Sequence, residues 1–240
     1  MEVLNIVEHG LHGIVLPTVT RPRVSLDNPD EELALFAIRV YAYSLIAHIR
    51  TILAGVVVLE KVGNTPSAKV LCRHVFEWTA HAAYIAENLS KHVKDCQWPD
   101  AFNVVSKFDR ANSWIKKHGK QHGAHPIQLD APDAVRLKHW IAAYERFRVG
   151  EYGSATVDEA YGYLSEHAHP SGLCFLQYRE ISGQELRFVE APQTQLPDIE
   201  HSLLDWLMLT YKILGLAKED TTRLALLKII ERVAALREPE

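Results

Sequence analysis

Cysteine is scarce in this chain, and positive charge is not in excess. Cys72, Cys96 and Cys174 are widely spaced and odd in number, which argues against a disulfide framework and against zinc sites built from CxxC pairs. The 26 Lys and Arg residues are outnumbered by 30 Asp and Glu residues, so binding of nucleic acid through a global basic field is excluded. Walker, GxGxxG and GxSxG motifs are also lacking, and the common nucleotide-binding and hydrolase families that they mark are unsupported.

No secretory signal or membrane span is predicted. The N-terminal sequence MEVLNIVEHG does not have the basic and then apolar order of a signal peptide. The longest apolar stretch, residues 33 to 59, contains Arg39, His48 and Arg50, whose charge is costly inside a bilayer. We therefore interpret this stretch as a buried core helix and expect a cytoplasmic protein without a membrane partner.

Hydrophobic residues make up 48% of the 240 residues, which is enough for one domain with its own core. The predicted domain spans 1–240, with an N-terminal segment and irregular connection at 1–26, a core at 27–217 and a C-terminal helix at 218–240. The predicted fold class is mainly α, a bundle of about six or seven helices. One short β-hairpin is expected near residues 173–190, where two β-prone runs flank Ser182 and Gly183.

Capping residues, prolines and glycines mark the predicted helix boundaries. Asp27 or Asn28 is the expected cap of the first core helix, and Thr65 that of the second, with Pro66 at its first position. The predicted helices run from 27 or 28 to 62, from 65 to about 94, after 99, from 130 or 132 to 150, from 156 or 158 to 169, from 197 to about 214, and from about 220 to 236.

The first candidate cluster is Arg73, Glu77 and His81, spaced i, i+4 and i+8 within one predicted helix. This spacing places all three on nearly one face, where they could touch. One interpretation is an Arg–Glu pair that steadies a half-buried helix. The other is a buried pair that marks a specificity device or a functional site.

The second candidate cluster lies in YGYLSEHAHPSG and contains Tyr161, Ser165, His167 and His169. Histidine titrates near neutral pH, and Pro170 fixes the chain directly after His169. Three interpretations remain open: capping and hydrogen bonding at a helix end, acid–base or RNA-cleaving chemistry, and metal ligation.

Two basic segments are candidate binding sites. The loop KKHGKQHGAHP carries His118, His122 and His125, but it has no HExxH motif and no acidic residue at a diagnostic distance. A solvated loop, a small phosphate-attracting patch and a metal site are its alternatives. Positive residues also recur on the predicted helix that ends at Gly150, and because acidic residues interrupt them we predict a solvated face: Arg136, Lys138, Arg146 and Arg148. No metal and no cofactor is assigned.

Two segments together resemble a bacterial family of unknown function, domain-of-unknown-function family 5677. The segment SAKVLCRHVFEWTAHAAYI resembles a helix of that family in which an Arg is followed by an aromatic residue and a Glu, here Arg73, Phe76 and Glu77. The segment AYGYLSEHAHPSG resembles the Tyr, Leu-Ser and His-Pro segment of the family. The matching positions are Tyr161 or Tyr163, Leu164, Ser165, His169 and Pro170.

This resemblance covers about residues 35 to 215 and implies a helical, intracellular protein without an established activity. The residues themselves suggest more, because charged and titratable groups in apolar helices need partners. We therefore expect Arg73, Glu77, Ser165 and His169 to converge in three dimensions as the candidate catalytic residues.

The chain is also similar, more loosely, to HEPN-type helical ribonuclease domains of prokaryotic toxins and phage-defence systems. Those domains place an Arg a few residues before a His on one helix, whereas Arg73 and His81 are further apart and no Arg precedes the HxHP segment. The resemblance implies metal-independent RNA cleavage in which His169 is the general base or acid, Arg73 stabilises the phosphorane charge and Glu77 orients Arg73.

The sequence leaves two function classes open. In one, the protein is a HEPN-like ribonuclease or toxin with RNA as its partner; in the other, it is a structural or interaction module whose polar cluster only specifies packing. Solvent access to Arg73 and His169 separates the two. The apolar character of the last two helices also predicts a homodimer.

Overall fold

A computed structural model describes residues 2–23, 28–110, 137–153, 157–168, 179–182, 185–188 and 199–236. The described part is built from helices, so the predicted mainly α class is confirmed. It contains eight helices: α1 Glu2–His12, α2 Glu31–Lys61, α3 Thr65–Lys94, α4 Trp98–Arg110, α5 Leu137–Tyr152, α6 Val157–Ala168, α7 Ile199–Leu216 and α8 Asp220–Ala235.

Helix α3 is the centre of the bundle. Five other helices pack directly on it, namely α2, α4, α5, α6 and α7. Small and apolar residues make this close packing feasible, since Ala80, Ala82 and Val75 of α3 are fully buried. One hydrophobic cluster takes buried side chains from all eight helices, with Trp206 of α7 and Tyr144 of α5 as its largest fully buried members.

The prediction that the core begins after residue 26 is wrong for α1. Val7 and Leu11 of α1 are fully buried in the common cluster, and α1 packs on α2 and α8. The apolar face of α1 therefore packs against the bundle, and α1 is part of the core. The contact with α8 is close, because a Cβ atom built on Gly10 would lie 2.7 Å from Cγ1 of Ile229.

The caps of the two longest helices lie one to three residues from their predicted positions. Asp30, not Asp27 or Asn28, caps α2, and its Oδ1 accepts a hydrogen bond from the N–H of Leu33 at 2.9 Å. Asn64, not Thr65, caps α3 and accepts from the N–H of Ser67 at 3.3 Å. The boundary between these helices is Gly63, whose φ of 74° suits glycine.

The other ends agree with prediction to within about two residues where they are described. Helix α3 ends at Lys94, as predicted, whereas α5 continues to Tyr152, two residues beyond Gly150. The predicted start of α5 and residues 173–178 of the predicted hairpin lie outside the described residues. Two four-residue strands, β1 Arg179–Ser182 and β2 Glu185–Phe188, pair antiparallel with Arg179 opposite Phe188.

Helix α2 is the one described helix that is long and apolar enough to cross a membrane by length and composition. Half of its most apolar window is buried inside the bundle. Its buried residues include Ile38, Ile46 and Leu53, each fully enclosed. The stretch predicted to be a core helix is thus a helix that packs on α1, α3, α4 and α7.

Candidate functional site

Arg73 joins the two segments that the sequence singled out. Its Nε donates to Oε1 of Glu77 at 2.9 Å, one turn further along α3. Its Nη2 donates to the hydroxyl of Tyr161 on α6 at 3.0 Å. The guanidinium also lies over the Tyr161 ring, 5.4 Å from its centroid. The side chain is therefore fixed by one carboxylate and one phenol from two helices.

The Arg73 and Glu77 side chains are partly screened from solvent, with 17% and 21% of their surface exposed. Burial disfavours the charged guanidinium, but the hydrogen bond and the negative charge of Glu77 outweigh it and raise the pKa of Arg73. His74 lies beside the pair, with Nδ1 at 3.8 Å from Oε2 of Glu77. Arg73 is thus a fixed positive charge close to the protein surface.

Helix α6 brings Ser165 to the same side as Tyr161, because residues four apart share a helix face. The Oγ atom of Ser165 is buried and has no hydrogen-bond partner among the described residues. An unpaired buried hydroxyl is unusual in a folded protein and is one sign of an unfilled binding site. His169 is four residues further along the sequence and lies outside the described residues, as do the side chains of Tyr163 and His167.

His81 does not join this cluster as the i, i+8 spacing predicted. Its side chain is 1% exposed and lies among aromatic rings, with Nδ1 at 3.0 Å from the hydroxyl of Tyr41 and ring contacts to Trp78 and Trp140. The reason is geometric: each i+4 step overshoots a full turn by about 40°, so His81 is rotated by about 80° from Arg73. Burial lowers the pKa of His81 to about 3, so this imidazole is neutral.

A second polar cluster, which the sequence analysis missed, surrounds Asp205 on α7. Asp205 is 1% exposed and accepts hydrogen bonds from the hydroxyls of Tyr144 at 2.6 Å and Tyr152 at 2.8 Å. Arg148 lies 3.7 Å from the same carboxylate. Burial and the Asp205 carboxylate raise the pKa of Tyr144. This cluster ties α5 to α7 through hydrogen bonds to a carboxylate that is buried away from water.

Arg148 also corrects the predicted solvated face of α5. Its side chain is 20% exposed and points toward the buried Asp205, whereas Arg146 is 59% exposed and pairs with Glu87 of α3. Two positions apart on a helix are about 200° apart around its axis, so the residues face opposite sides. A signal for the buried cluster was present in LLDWLML, where one Asp interrupts an apolar run.

Within the described ranges, no group of three or more His, Cys, Asp or Glu side chains is arranged to hold a metal ion. The histidine-rich segment at 118–125, which the sequence predicts to be a loop, lies outside those ranges. No family model, no curated protein and no solved structure matches this chain. Chemical assignment therefore rests on the residues of the site itself.

The arrangement around Arg73 can bind an anion. Arginine presents a planar fork of donors that matches phosphate and carboxylate oxygens, and Glu77 and Tyr161 hold that fork in place. Positive charge held in a partly dry site stabilises negative charge more strongly than the same charge in water. A phosphoryl group near Arg73 would thus meet a positive charge that is already held in place.

Proposed function

We propose that this protein is a metal-independent, HEPN-like ribonuclease that acts in the cytoplasm as a toxin in phage defence. The observation that carries the proposal is the Arg73 guanidinium held between Glu77 of α3 and Tyr161 of α6. Helix α6 contains Tyr161 and Ser165 and ends at Ala168, the residue before His169 in the sequence. Arg73 is therefore bonded to the helix whose last residue precedes His169.

The proposed reaction is transesterification of RNA. The 2′ oxygen attacks phosphorus as its proton passes to a base, and the bond to the 5′ oxygen breaks as that oxygen takes up a proton, leaving a 2′,3′-cyclic phosphate. His169 serves as the base or the acid, because imidazole transfers protons near neutral pH. Arg73 stabilises the negative charge that develops on the phosphorane, and Glu77 orients Arg73. Ser165 donates its unpaired hydroxyl to the bound phosphate.

His81 is a poor substitute for His169 in this reaction. Its pKa of about 3 makes it a weak base near neutral pH, and its side chain is enclosed by aromatic rings. Proton transfer is therefore assigned to His169, although the HEPN-like resemblance would pair the arginine with a histidine of the same helix. RNA, not DNA, is the proposed substrate because the reaction needs a 2′ hydroxyl.

The test is cleavage of labelled single-stranded and structured RNA by the purified protein, with and without EDTA. We expect cleavage that is indifferent to EDTA and that falls by about 10² to 10⁴ in both Arg73→Ala and His169→Ala. Arg73→Lys keeps the charge but loses the fork, so an intermediate rate is expected. Arg223→Ala is the matched control, since it also removes an arginine paired with a carboxylate, that of Asp220, but lies on α8.

Circular dichroism shows whether each variant is folded. An Arg73→Ala variant that is folded and cleaves as fast as the parent would refute the proposed role of Arg73. EDTA sensitivity would refute a metal-independent mechanism and direct attention to the histidines as ligands. In cells, we expect expression of the parent to arrest growth and expression of His169→Ala to leave growth unchanged.

The second candidate function is a non-enzymatic interaction module. It is favoured by the pairing of Arg73 with Glu77 and by the exposure of only about a fifth of each side chain, because such a pair can serve packing alone. Under this proposal the parent cleaves no RNA, and Arg73→Ala lowers the free energy of unfolding. A homodimer remains the proposed assembly in either case.

A further inference from the structure

A groove of about 590 Å³ lies between α3, α5 and α7, apart from the Arg73 cluster. Its floor is formed by Ala83 and Ala86 of α3, Ala143 of α5 and Leu209 of α7. The groove exists because alanines occupy the facing positions of α3 and α5, where larger side chains would fill the space. Its volume is within the range of about 300 to 1,000 Å³ that is usual for small-molecule sites.

Basic side chains from three helices line the edge of this groove: Lys91 and Lys94 of α3, Arg146 of α5 and Lys212 of α7. Three carboxylates lie among them, so positive charge is in excess by one. Glu87 is engaged by two of the cations, since Arg146 donates to its two oxygens at 3.2 and 2.7 Å and Lys91 lies at 3.8 Å. Glu87 therefore holds cations at the groove without cancelling their combined charge.

The helix dipole explains the positions of only two of these four cations. Lys91 and Lys94 lie in the last turn of α3, where cations are favourable in any helix. Arg146 and Lys212 do not lie in the last turns of α5 and α7. The positions of Arg146 and Lys212 at the groove are therefore not explained by a preference of helix C-termini for cations.

The groove also has apolar lining residues. The half-buried ring of Phe147 lines one side, next to the alanine floor. Gly150 lies beyond it on the same helix, and a Cβ atom built there would meet nothing within 4 Å, so this end of the groove is open. An aromatic ring beside several cations suits a ligand with a planar body and an anionic group.

We propose that this groove binds a free nucleoside phosphate, with the base against Phe147 and the alanine floor and the phosphate near Lys94 and Lys212. The proposal does not depend on ribonuclease activity, because it involves neither Arg73 nor His169. Because attraction between charges contributes to binding, the affinity should depend on salt. Because the base also contacts the groove, a nucleotide should bind more tightly than phosphate alone.

The test is isothermal titration of the full chain with the four ribonucleoside monophosphates, with adenosine, with inorganic phosphate and with a short RNA. We expect at least one mononucleotide to bind, and to bind about tenfold or more tightly than adenosine or phosphate, with affinity that falls as salt rises. Lys212→Glu is expected to weaken binding about tenfold or more, and Gly150→Leu, which fills the open end, is expected to abolish it.

Lys228→Glu is the matched control, because Lys228 is an exposed lysine of α8 that does not line the groove. Its binding is expected to equal that of the parent, and equal thermal unfolding of all variants excludes loss of the fold. No binding of any mononucleotide at about 1 mM would overturn the proposal. So would binding that survives both Lys212→Glu and Gly150→Leu, or binding of the RNA alone, which would assign the groove to a polymer.

Discussion

Replacing Tyr144 by Phe removes one of the two phenols that donate to the buried Asp205. The ring stays in place between Phe76 and Phe147, so the change removes only the interactions of the hydroxyl, which are its hydrogen bond of 2.6 Å to Asp205 and its contact with the Ser202 side chain. Both partners are buried, and a hydrogen bond to a charged group contributes about 1.5 to 3 kcal/mol. We expect the free energy of unfolding to fall by about 2 kcal/mol, which lowers Tm by about 4 to 8 °C for a chain of this length.

Tyr152→Phe is the matched comparison, because Tyr152 donates to the other oxygen of Asp205 at 2.8 Å but is 45% exposed. Water can partly replace this bond, so the expected loss is smaller, about 1 kcal/mol. Without both phenols the carboxylate keeps Arg148 alone, and the double variant should lose more than the two single losses added together. Urea unfolding followed by circular dichroism measures all three variants.

The reasoning fails if Tyr144→Phe unfolds within about 0.5 kcal/mol of the parent. It also fails if Tyr152→Phe is the more costly substitution, because burial would then not decide the strength of these bonds. A double variant whose loss equals the sum would show that the two phenols act independently on Asp205.

Three further predictions concern other parts of the bundle. His81 has a pKa of about 3 in the folded protein, whereas a histidine in the unfolded chain binds its proton below about pH 6.5. The free energy of unfolding should therefore fall as the pH decreases from about 6.5 toward 3. Urea titrations should show that His81→Phe removes about 2 kcal/mol of the loss between about pH 6.5 and 5. Gly10→Val should lower the free energy of unfolding by about 1 to 3 kcal/mol, because the new side chain forces Ile229 aside. Gly150→Val, with open space around its Cβ, should change the free energy of unfolding by less than about 0.5 kcal/mol, and equal losses would contradict the close approach of α1 and α8. If α8 forms the proposed dimer interface, Leu224→Glu should convert a dimer to a monomer in light scattering, because Leu224 is 56% exposed, and a monomeric parent would rule the dimer out.

The helices were largely predictable because their signals are local. Asp30 and Asn64 cap α2 and α3 through side chains that reach only three residues along the chain. The same locality explains the small errors, since Asn28 and Thr65 are also good capping residues and the sequence alone does not choose between neighbours. The prediction for α1 was wrong because a short amphipathic segment does not show which surface it covers.

The candidate site was predictable only where its contacts lie within one helix. Arg73 and Glu77 are four residues apart, so their pairing follows from helix geometry. The bond from Arg73 to Tyr161 joins residues 88 positions apart, and those from Tyr144 and Tyr152 to Asp205 span 61 and 53 positions. Such contacts depend on how α5, α6 and α7 pack, which no short pattern in the sequence encodes.

The central position of α3 limits how this chain can change in length. Arg73 and Glu87 are 14 residues apart on it, a distance of about 21 Å, and each contacts a different neighbouring helix. Inserting one residue between them would rotate one half of α3 by about 100° relative to the other. Either Arg73 would turn away from α6 or Glu87 would turn away from α5, so α3 should tolerate substitutions far better than insertions or deletions.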